Sequence, residues 1–510
     1  MIENIVMVCY NVIRTLNLPT ERKIIMTSKS IRAICALLAV LTAVSCGSAA
    51  GTPETGNTDT TNEETTAPED TALTDDVPPL DFEGREFRTL EQDSVMYGFA
   101  PEEQNGDIIN DAVYERARKA EERFNITITP TDYEDNTVIT SIVKKTVMSG
   151  DQNYDLVFGQ MYQSGAAAQS GIFADWQDVP YVDFSKPWYV KSINEAAVGR
   201  KLYMIESELS ISYFQQTWMI LYNKTKAGDI NGFPDLYKAV EDGTWTLDEL
   251  NRLTSDVYRD TNGDTKRDDE DFYGFAGTPG GCLVAAFLYG ADGRLATVEN
   301  GEVEQLITSE RTIDVLEKLS KLFCSNEGTI TKSDALSKTR RELFPKGVVL
   351  FEAMQVNDLL REDFGLRNMS DEFGVLPLPK YDEKQEEYYT VVDGGASVMV
   401  VPANHDNTGM VGAVVEAMSA MSYTDVIPKY IGMAVEQKGT RDEESIKIMR
   451  EVLDSRVIDF AYLYDGFKGW VMSLPVIIKN ETAITSTIRS KMNAMDSYYN
   501  SVIEVLRSEE

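Results

Sequence analysis

The feature that most constrains the fold is an alternation of strand and helix patterns in the first third of the chain. Extended runs at Glu86–Leu90, Asn125–Pro130 and Asp155–Gly159 are separated by two amphipathic segments, Asp107–Phe124 and Thr137–Met148. The third run is almost wholly apolar, which is typical of a strand covered on both faces. Strand–helix–strand–helix–strand predicts a parallel α/β sheet with right-handed connections.

The rest of the chain carries further patterns of both kinds. The capping box Thr246-Leu-Asp-Glu249 predicts the start of a helix. A body of about 430 residues exceeds what one hydrophobic core usually serves, so we expect two lobes. Apolar periodicity predicts helices over Thr312–Phe323, Thr408–Met421, Glu443–Leu453 and Thr487–Leu506, and extended runs over Leu209–Asn223, Gly347–Glu352, Phe373–Leu378 and Thr390–Val401.

The N-terminal region has the layout of a secretion signal. Lys29 and Arg32 precede an apolar run, Ala33–Val44, and small residues lead directly to Cys46. The run is shorter than the roughly 20 residues that a spanning helix needs. The ending Ala-Val-Ser-Cys46 resembles the bacterial lipobox, which implies a lipidated cysteine. A plain secretory signal with an incidental cysteine is the alternative.

These patterns divide the N-terminal region in two. We predict a signal peptide over residues 1–45, and Met26 is a candidate for the true start because a basic leader follows it. Residues 46–80 are predicted to be the lipidated cysteine and a disordered tether. The segment Gly47–Pro79 is rich in Thr, Glu, Asp, Ala and Pro and has no aromatic residue, so it buries too little apolar surface to offset its ordering entropy.

Charge and cysteine usage limit the partners. The chain has 48 basic and 83 acidic residues, a net charge of −35. Such a charge repels nucleic acid and anionic lipid headgroups, so we expect no nucleic-acid partner and a neutral or cationic ligand.

Cys282 and Cys324 are the cysteines of the body. They either pair in an oxidising compartment or remain two separate buried thiols.

Several kinds of catalytic site have no support in the sequence. The single histidine, His405, lies in a loop pattern and is interpreted as a surface residue. Zinc sites with two or more histidines are therefore excluded. No Walker-type loop and no G-x-G-x-x-G motif occurs. Glycoside hydrolysis by two carboxylates remains open, because so many acidic residues define no unique pair.

One acidic loop has the ligand spacing of an EF-hand-type calcium site. Oxygen-bearing groups fall at positions one, three, five, seven, nine and twelve, although position six is not glycine and position twelve is aspartate rather than glutamate. We predict a structural calcium ion here, with an acidic surface turn as the alternative. The predicted ligands are Asp260, Asn262, Asp264, the carbonyl of Lys266, Asp268 and Asp271.

Aromatic residues follow the predicted strand ends. Tyr162 comes directly after the third strand, Tyr213 and Trp218 lie in the long extended run, and Tyr462–Trp470 is a late aromatic cluster. Sugar-binding sites combine aromatic faces with amide and carboxylate hydrogen-bonding groups. For each aromatic residue taken singly, core packing is the favoured interpretation, and only the placement at strand ends favours a binding role.

The order and spacing of several motifs resemble one known family. The motifs are Asn105–Arg116, Tyr154–Val157, Gly199–Tyr203, Trp218–Lys224, Gly243–Glu249, Phe373–Lys380 and Gly394-Gly395. From Phe82 to Ser508 the chain resembles bacterial extracellular solute-binding proteins of family 1, the maltose-binding-protein-like receptors of sugar importers.

The resemblance implies a type II periplasmic-binding-protein-like fold with two α/β lobes. Each lobe is a mainly parallel sheet flanked by helices, and crossover segments form the hinge. By matching position, the first lobe comprises 84–213 plus 396–440 and the second 214–395 plus 441–510. Ligand would lie in the cleft between the lobes. The ligand-binding candidates are Gln160, Tyr162, Tyr213, Gln215, Trp218, Glu352, Met354, Asp393 and Trp470.

The resemblance also implies a function without catalysis. A monomeric, lipid-anchored extracytoplasmic receptor would capture a solute, with an oligosaccharide favoured, and deliver it to the transmembrane subunits of an ABC-type permease. A receptor for a peptide or polyamine, a surface glycoside hydrolase and a purely structural surface lipoprotein are the alternatives.

Overall fold

The computed structural model describes residues 73–92, 97–133, 138–190, 192, 196–199, 201–331, 343–361, 365–436 and 443–507. The predicted signal peptide, Cys46 and the first part of the tether lie outside the described residues. Within the described ranges, no helix combines the length and the apolar character needed to cross a membrane.

The strands alternate with helices along much of the chain. The strands are β1 Arg85–Gln92, β2 Ile126–Tyr133, β3 Leu156–Gln160, β4 Trp218–Asn223, β5 Tyr273–Ala276, β6 Ala296–Glu299, β7 Glu302–Gln305, β8 Thr329–Ile330, β9 Val349–Gln355, β10 Phe373–Leu376 and β11 Ser397–Val400.

The α-helices vary from single turns to a C-terminal helix of 24 residues. They are α1 Ile108–Phe124, α2 Ile139–Ser149, α3 Met161–Ala168, α4 Ile211–Gln215, α5 Lys224–Gly228, α6 Leu236–Glu241, α7 Leu247–Ser255, α8 Gly281–Gly290, α9 Glu310–Ser320, α10 Thr408–Met421, α11 Ile427–Glu436, α12 Glu443–Asp454, α13 Phe460–Leu463, α14 Leu474–Ile477 and α15 Ile484–Arg507.

The first sheet has the order β11-β3-β1-β2. β1 pairs in parallel with both β2 and β3, whereas β11 runs antiparallel to β3. Local sequence explains the first crossover: Asp107 accepts from the backbone N–H groups of Ile109 and Asn110 at the start of α1, and Asn125 ends that helix in the left-handed region with φ of 50°. This sheet and its helices form the first lobe.

The second sheet has the order β10-β4-β9-β5-β8. β5 pairs in parallel with β8 and β9, and β4 runs antiparallel to β9 and β10, so this sheet is mixed. β4 and β9 are buried at every position, which is why they read as continuous apolar runs. Together the two sheets confirm the predicted two-lobed α/β fold. The prediction that each sheet is mainly parallel is wrong for the second lobe, because two of its four strand pairs are antiparallel. The exact lobe boundaries stay a prediction.

Two segments that cross between the sheets lie side by side. Thr217, just before β4, pairs with Val392 in an isolated antiparallel bridge, and Asp393 donates its backbone N–H to the Gln216 carbonyl over 3.0 Å. The chain thus leaves the first lobe and returns to it at the same place. The predicted extended run Thr390–Val401 is wrong in part, because a turn at Gly394-Gly395 separates Val392 from β11.

The predicted extended run Leu209–Asn223 is also wrong in its first half. Residues 211–215 form the helix α4, which Ser210 caps by accepting from the Tyr213 N–H, and only 218–223 form a strand. A short apolar and aromatic run is compatible with a buried helix as well as with a strand. This difference changes which side chains point toward the lobe junction.

Two predictions about single residues are wrong as well. His405 is not a surface residue: its side chain is 2% exposed and its Nε2 lies 2.7 Å from Asp155 Oδ1, because its loop folds back over the start of β3. Of the two alternatives for the body cysteines, the structure has the separate thiols: Cys282 and Cys324 are both free. Cys282 is half-buried, whereas the predicted burial of Cys324 is wrong because this residue is exposed.

Candidate functional site

Three polar side chains surround Gly395 at the junction of the lobes. Gln160 is the last residue of β3, while Gln216 and Asp393 belong to the crossing segments. A Cβ atom built on Gly395 would lie 3.1 Å from Gln216 Oε1, 3.2 Å from Asp393 Oδ1 and 3.9 Å from Gln160 Nε2. We call Gln160, Gln216 and Asp393 the junction cluster.

The junction cluster presents hydrogen-bonding groups that a ligand can use. Gln160 Oε1 is buried and has no hydrogen-bond partner among the described residues. Asp393 Oδ1 accepts from the Gly395 N–H over 2.9 Å, and Gln216 Nε2 donates to Ser212 Oγ over 3.1 Å. A buried amide oxygen without a partner is costly, so this position favours a donor from water or from a ligand.

An aromatic wall adjoins the junction cluster. The Tyr162 ring packs edge-on against Tyr462 and Phe467, with centroids 5.7 Å and 5.4 Å away. The Tyr162 N–H donates to the Gly394 carbonyl over 3.4 Å, and a Cβ on Gly394 would lie 2.1 Å from the Tyr162 ring. Gly394 therefore allows the return segment to pass over this ring. Burial raises the pKa of the Tyr162 hydroxyl.

Phe467 is the exposed member of this wall. Its side chain is 45% exposed, and its backbone has a φ of 61°, which is unusual for a residue with a bulky side chain. The loop is fixed by Asp465, whose Oδ2 accepts from the Val471 N–H over 2.9 Å and whose carbonyl accepts from Lys468 and Gly469. Burial raises the pKa of the Asp465 carboxyl to about 7.

The structure brings together only some of the predicted ligand residues. Gln160, Tyr162 and Asp393 lie at the junction, as described above. The other six are buried: Tyr213 and Gln215 in α4, Trp218 at the start of β4, Glu352 and Met354 within β9, and Trp470, whose Nε1 donates to Gln305 Oε1 over 2.7 Å. In this conformation these six have little or no surface to offer a ligand, and the same holds for the side chain of Tyr162, which is 1% exposed.

Sequence reasoning did not select Gln216 or Phe467. An extended run would place Gln215 on the same face as Tyr213, but the helical turn of α4 rotates Gln216 to the junction instead. Phe467 belonged to a recognised aromatic cluster. The signal that distinguishes it is the glycine on either side of the pair Phe467-Lys468, which allows a tight, exposed loop.

The acidic loop 260–271 uses its carboxylates to hold its own backbone. Asp260 accepts from the N–H groups of Gly263 and Thr265 over 2.7 Å and 2.9 Å, and Asp264 accepts from Lys266 over 2.8 Å. Asp271 is fully buried and accepts from the Tyr258 hydroxyl over 2.9 Å.

These contacts leave the calcium site a prediction. Within the described residues, no group of three or more acidic, histidine or cysteine side chains is arranged as a set of metal ligands. The carboxylates of the exposed Asp260 and Asp264 and of the half-buried Asp268 are of the hard-oxygen type that calcium prefers, whereas Asp271 is buried.

Comparisons with known proteins show the fold. A cyclo/maltodextrin-binding protein complexed with maltotetraose matches 83% of this chain and 97% of its own, at 15% identity and a TM-score of 0.51. The GacH receptor of Streptomyces glaucescens, solved without ligand and with acarbose, matches 82% and 98% at 16% identity and a TM-score of 0.50.

A third solved structure gives the same result. An ABC transporter solute-binding protein from Thermotoga lettingae, bound with α-D-tagatose, matches 83% of this chain and 100% of its own, at 13% identity and a TM-score of 0.50. At such low identities the likeness concerns the arrangement of the chain. No family model matches the sequence, and no curated protein matches it.

Proposed function

We propose that this chain is the solute-binding receptor of an ABC-type importer and belongs to the maltose-binding-protein-like family that its motifs resemble. The junction cluster beside the aromatic wall is the observation that carries the proposal, because it combines amide and carboxylate groups between two lobes with an aromatic wall whose member Phe467 is exposed. Three solved structures with this fold are sugar-binding proteins by description.

A neutral oligosaccharide is the ligand that this chemistry favours. Its hydroxyl groups can donate to Gln160 Oε1 and to the Asp393 carboxylate, and its C–H faces can pack on an exposed ring such as that of Phe467. The junction cluster contains no basic side chain, and the chain has a net charge of −35, so an acidic sugar is disfavoured.

A peptide or polyamine is the second candidate ligand, supported by the same negative charge. Glycoside hydrolysis requires two carboxyl groups roughly 5 to 10 Å apart, and the junction cluster offers one, that of Asp393. Delivery to a membrane permease would follow from lobe closure around the ligand. Anchoring through a lipidated Cys46 would keep the receptor at the extracytoplasmic face, as a monomer.

The test is a thermal-shift screen of the full chain against malto-, cello- and xylo-oligosaccharides, a tripeptide and spermidine. A ligand at about 100 times its Kd stabilises the folded state by about 2.7 kcal/mol. A melting-temperature rise with the peptide or amine alone would contradict the sugar assignment. Chromatographic detection of cleaved oligosaccharide would contradict a pure binding function.

Matched glutamine variants locate the site. Gln160→Ala and Gln216→Ala should each lower the affinity for the sugar found in the screen by about tenfold. This is the usual loss for one hydrogen bond of about 1 to 1.5 kcal/mol. Gln177→Ala removes an exposed glutamine of a surface turn and should leave affinity unchanged. If calorimetry gives all three variants the affinity of the wild type, the ligand binds elsewhere.

A further inference from the structure

The two lobes also meet through a buried ion pair outside the junction cluster. Arg456 lies two residues after α12, which packs against β10 of the second sheet, so it belongs to the second lobe; it also pairs with Thr390 in a parallel bridge. Glu208 donates its backbone N–H to the Trp188 carbonyl in the first lobe. Arg456 Nη2 donates to Glu208 Oε1, and the two side chains are only 8% and 6% exposed.

The surroundings of Arg456 come from both lobes. Its guanidinium carbon lies 4.3 Å from the ring centroid of Tyr213, in the helix α4 that precedes the first crossing. Its Nε donates to the Leu453 carbonyl over 2.6 Å. Two residues further on, the Ile458 N–H donates to Ser192 Oγ of the first lobe over 2.7 Å. Arg456 therefore contacts Glu208 and Tyr213 of the first lobe as well as Leu453 of the second.

This cluster contains more polar groups than it satisfies. Arg456 Nη1, Glu208 Oε2 and Tyr213 Oη are buried without a hydrogen-bond partner among the described residues, and so is Glu206 Oε1. Burial raises the pKa of Glu206 to about 8, opposed in part by the charge of Arg456. A core built only for stability would pair such groups or replace them by apolar ones.

The pair lies next to a route for water. A cavity of about 530 Å³ is lined by Ser192 of the first lobe and by Arg294, Tyr389 and Arg456 of the second. Separating the lobes would let water enter from this cavity and solvate both charges. When the two charges separate, hydration by water compensates for the lost ion pair. The pair can therefore break and form again as the lobes move.

We propose that Arg456 and Glu208 form an interlobe latch that sets the balance between closed and open lobes before any ligand binds. Closing the lobes forms the pair and the Tyr213 contact; opening them hydrates all three groups. The latch itself is independent of the ligand. Its consequence for solute capture rests on the proposed function, in which Arg456 and Glu208 are positioning residues that touch no ligand.

Small-angle X-ray scattering of the ligand-free full chain tests the latch directly. Arg456→Met and Glu208→Gln should each increase the radius of gyration, and Arg456→Lys should restore part of the wild-type value. Arg294→Met is the matched control, because Arg294 lines the same cavity but makes its hydrogen bonds to the Tyr289 and Gly293 carbonyls of its own lobe. It should leave the radius unchanged.

Thermal unfolding separates a latch from a purely structural pair. Folded variants whose radius of gyration equals that of the wild type would overturn the proposal, as would loss of cooperative unfolding in both Arg456→Met and Glu208→Gln. Because the charge of Arg456 also interacts with Glu206, a Glu206→Gln, Glu208→Gln double variant should open further than Glu208→Gln alone. An unchanged radius in the double variant would count equally against the latch.

Ligand kinetics extend the test if the screen yields a sugar. The Arg456→Met variant should release that sugar on the order of tenfold faster, with a smaller change in the association rate, because the closed, ligand-bound form loses the stabilisation that the buried pair gives it. An unchanged release rate in a variant with an increased radius would restrict the latch to the ligand-free state. A screen without any binding solute would contradict the proposed function and leave the scattering result intact.

Discussion

Gly394 is the residue at which packing at the junction is tightest. A Cβ atom there would lie 2.1 Å from the Tyr162 ring, a distance at which the ring must move. Gly394→Ala should lower the free energy of unfolding by about 1 to 3 kcal/mol, the usual cost of overpacking a core. Urea unfolding measures the loss, and weakened solute binding should accompany it because Tyr162 is displaced.

Gly432→Ala is the control for that substitution. Gly432 lies within α11, and no atom lies within 4 Å of its would-be Cβ. The alanine should leave stability unchanged or raise it by up to about 1 kcal/mol through helix propensity. Similar losses in both variants would show that the ring of Tyr162 is not the cause.

Asp465 gives a pH dependence with a defined sign. Its pKa is raised from 3.8 to about 7 because the folded protein buries the carboxyl. The folded state therefore holds a proton that the unfolded state releases, so the stabilisation present below pH 4 is lost as pH rises toward 7. Asp465→Asn should reduce the slope of this part of the stability profile, measured by urea unfolding between pH 4.5 and 8, while the buried Glu91, Glu206 and Glu416, whose pKa values burial also raises, keep the remainder. A profile that keeps the wild-type slope would refute the assignment.

At the scale of elements, locally encoded units were predictable and the junction was not. The first five elements follow from apolar periodicity and from caps such as Asp107, and β1 to β3 lie within two residues of their predicted starts. The helix α4 was not predicted, because its short aromatic and apolar run is compatible with both the helical and the strand periodicity. Glycine turns and contacts between distant segments place Gln216 beside Asp393, and neither leaves a local pattern.

The acidic loop 260–271 is a further element whose role can be decided. If it binds calcium, the ion should raise the melting temperature relative to chelator, and Asp260→Ala with Asp264→Ala should abolish the rise. Asp242→Ala, an exposed acidic residue beyond α6, serves as the control. Identical melting curves with calcium and with chelator would assign the loop to its alternative, an acidic surface turn.

At the scale of the whole molecule, the lobe arrangement suits a motion of two bodies, and the net charge of −35 disfavours nucleic acid as a partner. Two lobes joined by adjacent crossing segments can close as rigid bodies, with few backbone angles changing at the hinge. The latch and the junction cluster then act on the same motion from different places. One favours closure through a buried ion pair, and the other through contacts with the solute.

Lipidation of Cys46 stays a prediction, and it would decide where this motion takes place. If Cys46 is lipidated, the full precursor expressed in a bacterial host should fractionate with membranes and incorporate labelled fatty acid, whereas Cys46→Ser should do neither. Cys35→Ser changes a cysteine inside the apolar run and should leave both properties unchanged. Membrane retention of Cys46→Ser would instead indicate an uncleaved signal. A soluble, cleaved wild-type protein without fatty acid would establish the plain secretory alternative and leave the receptor diffusible.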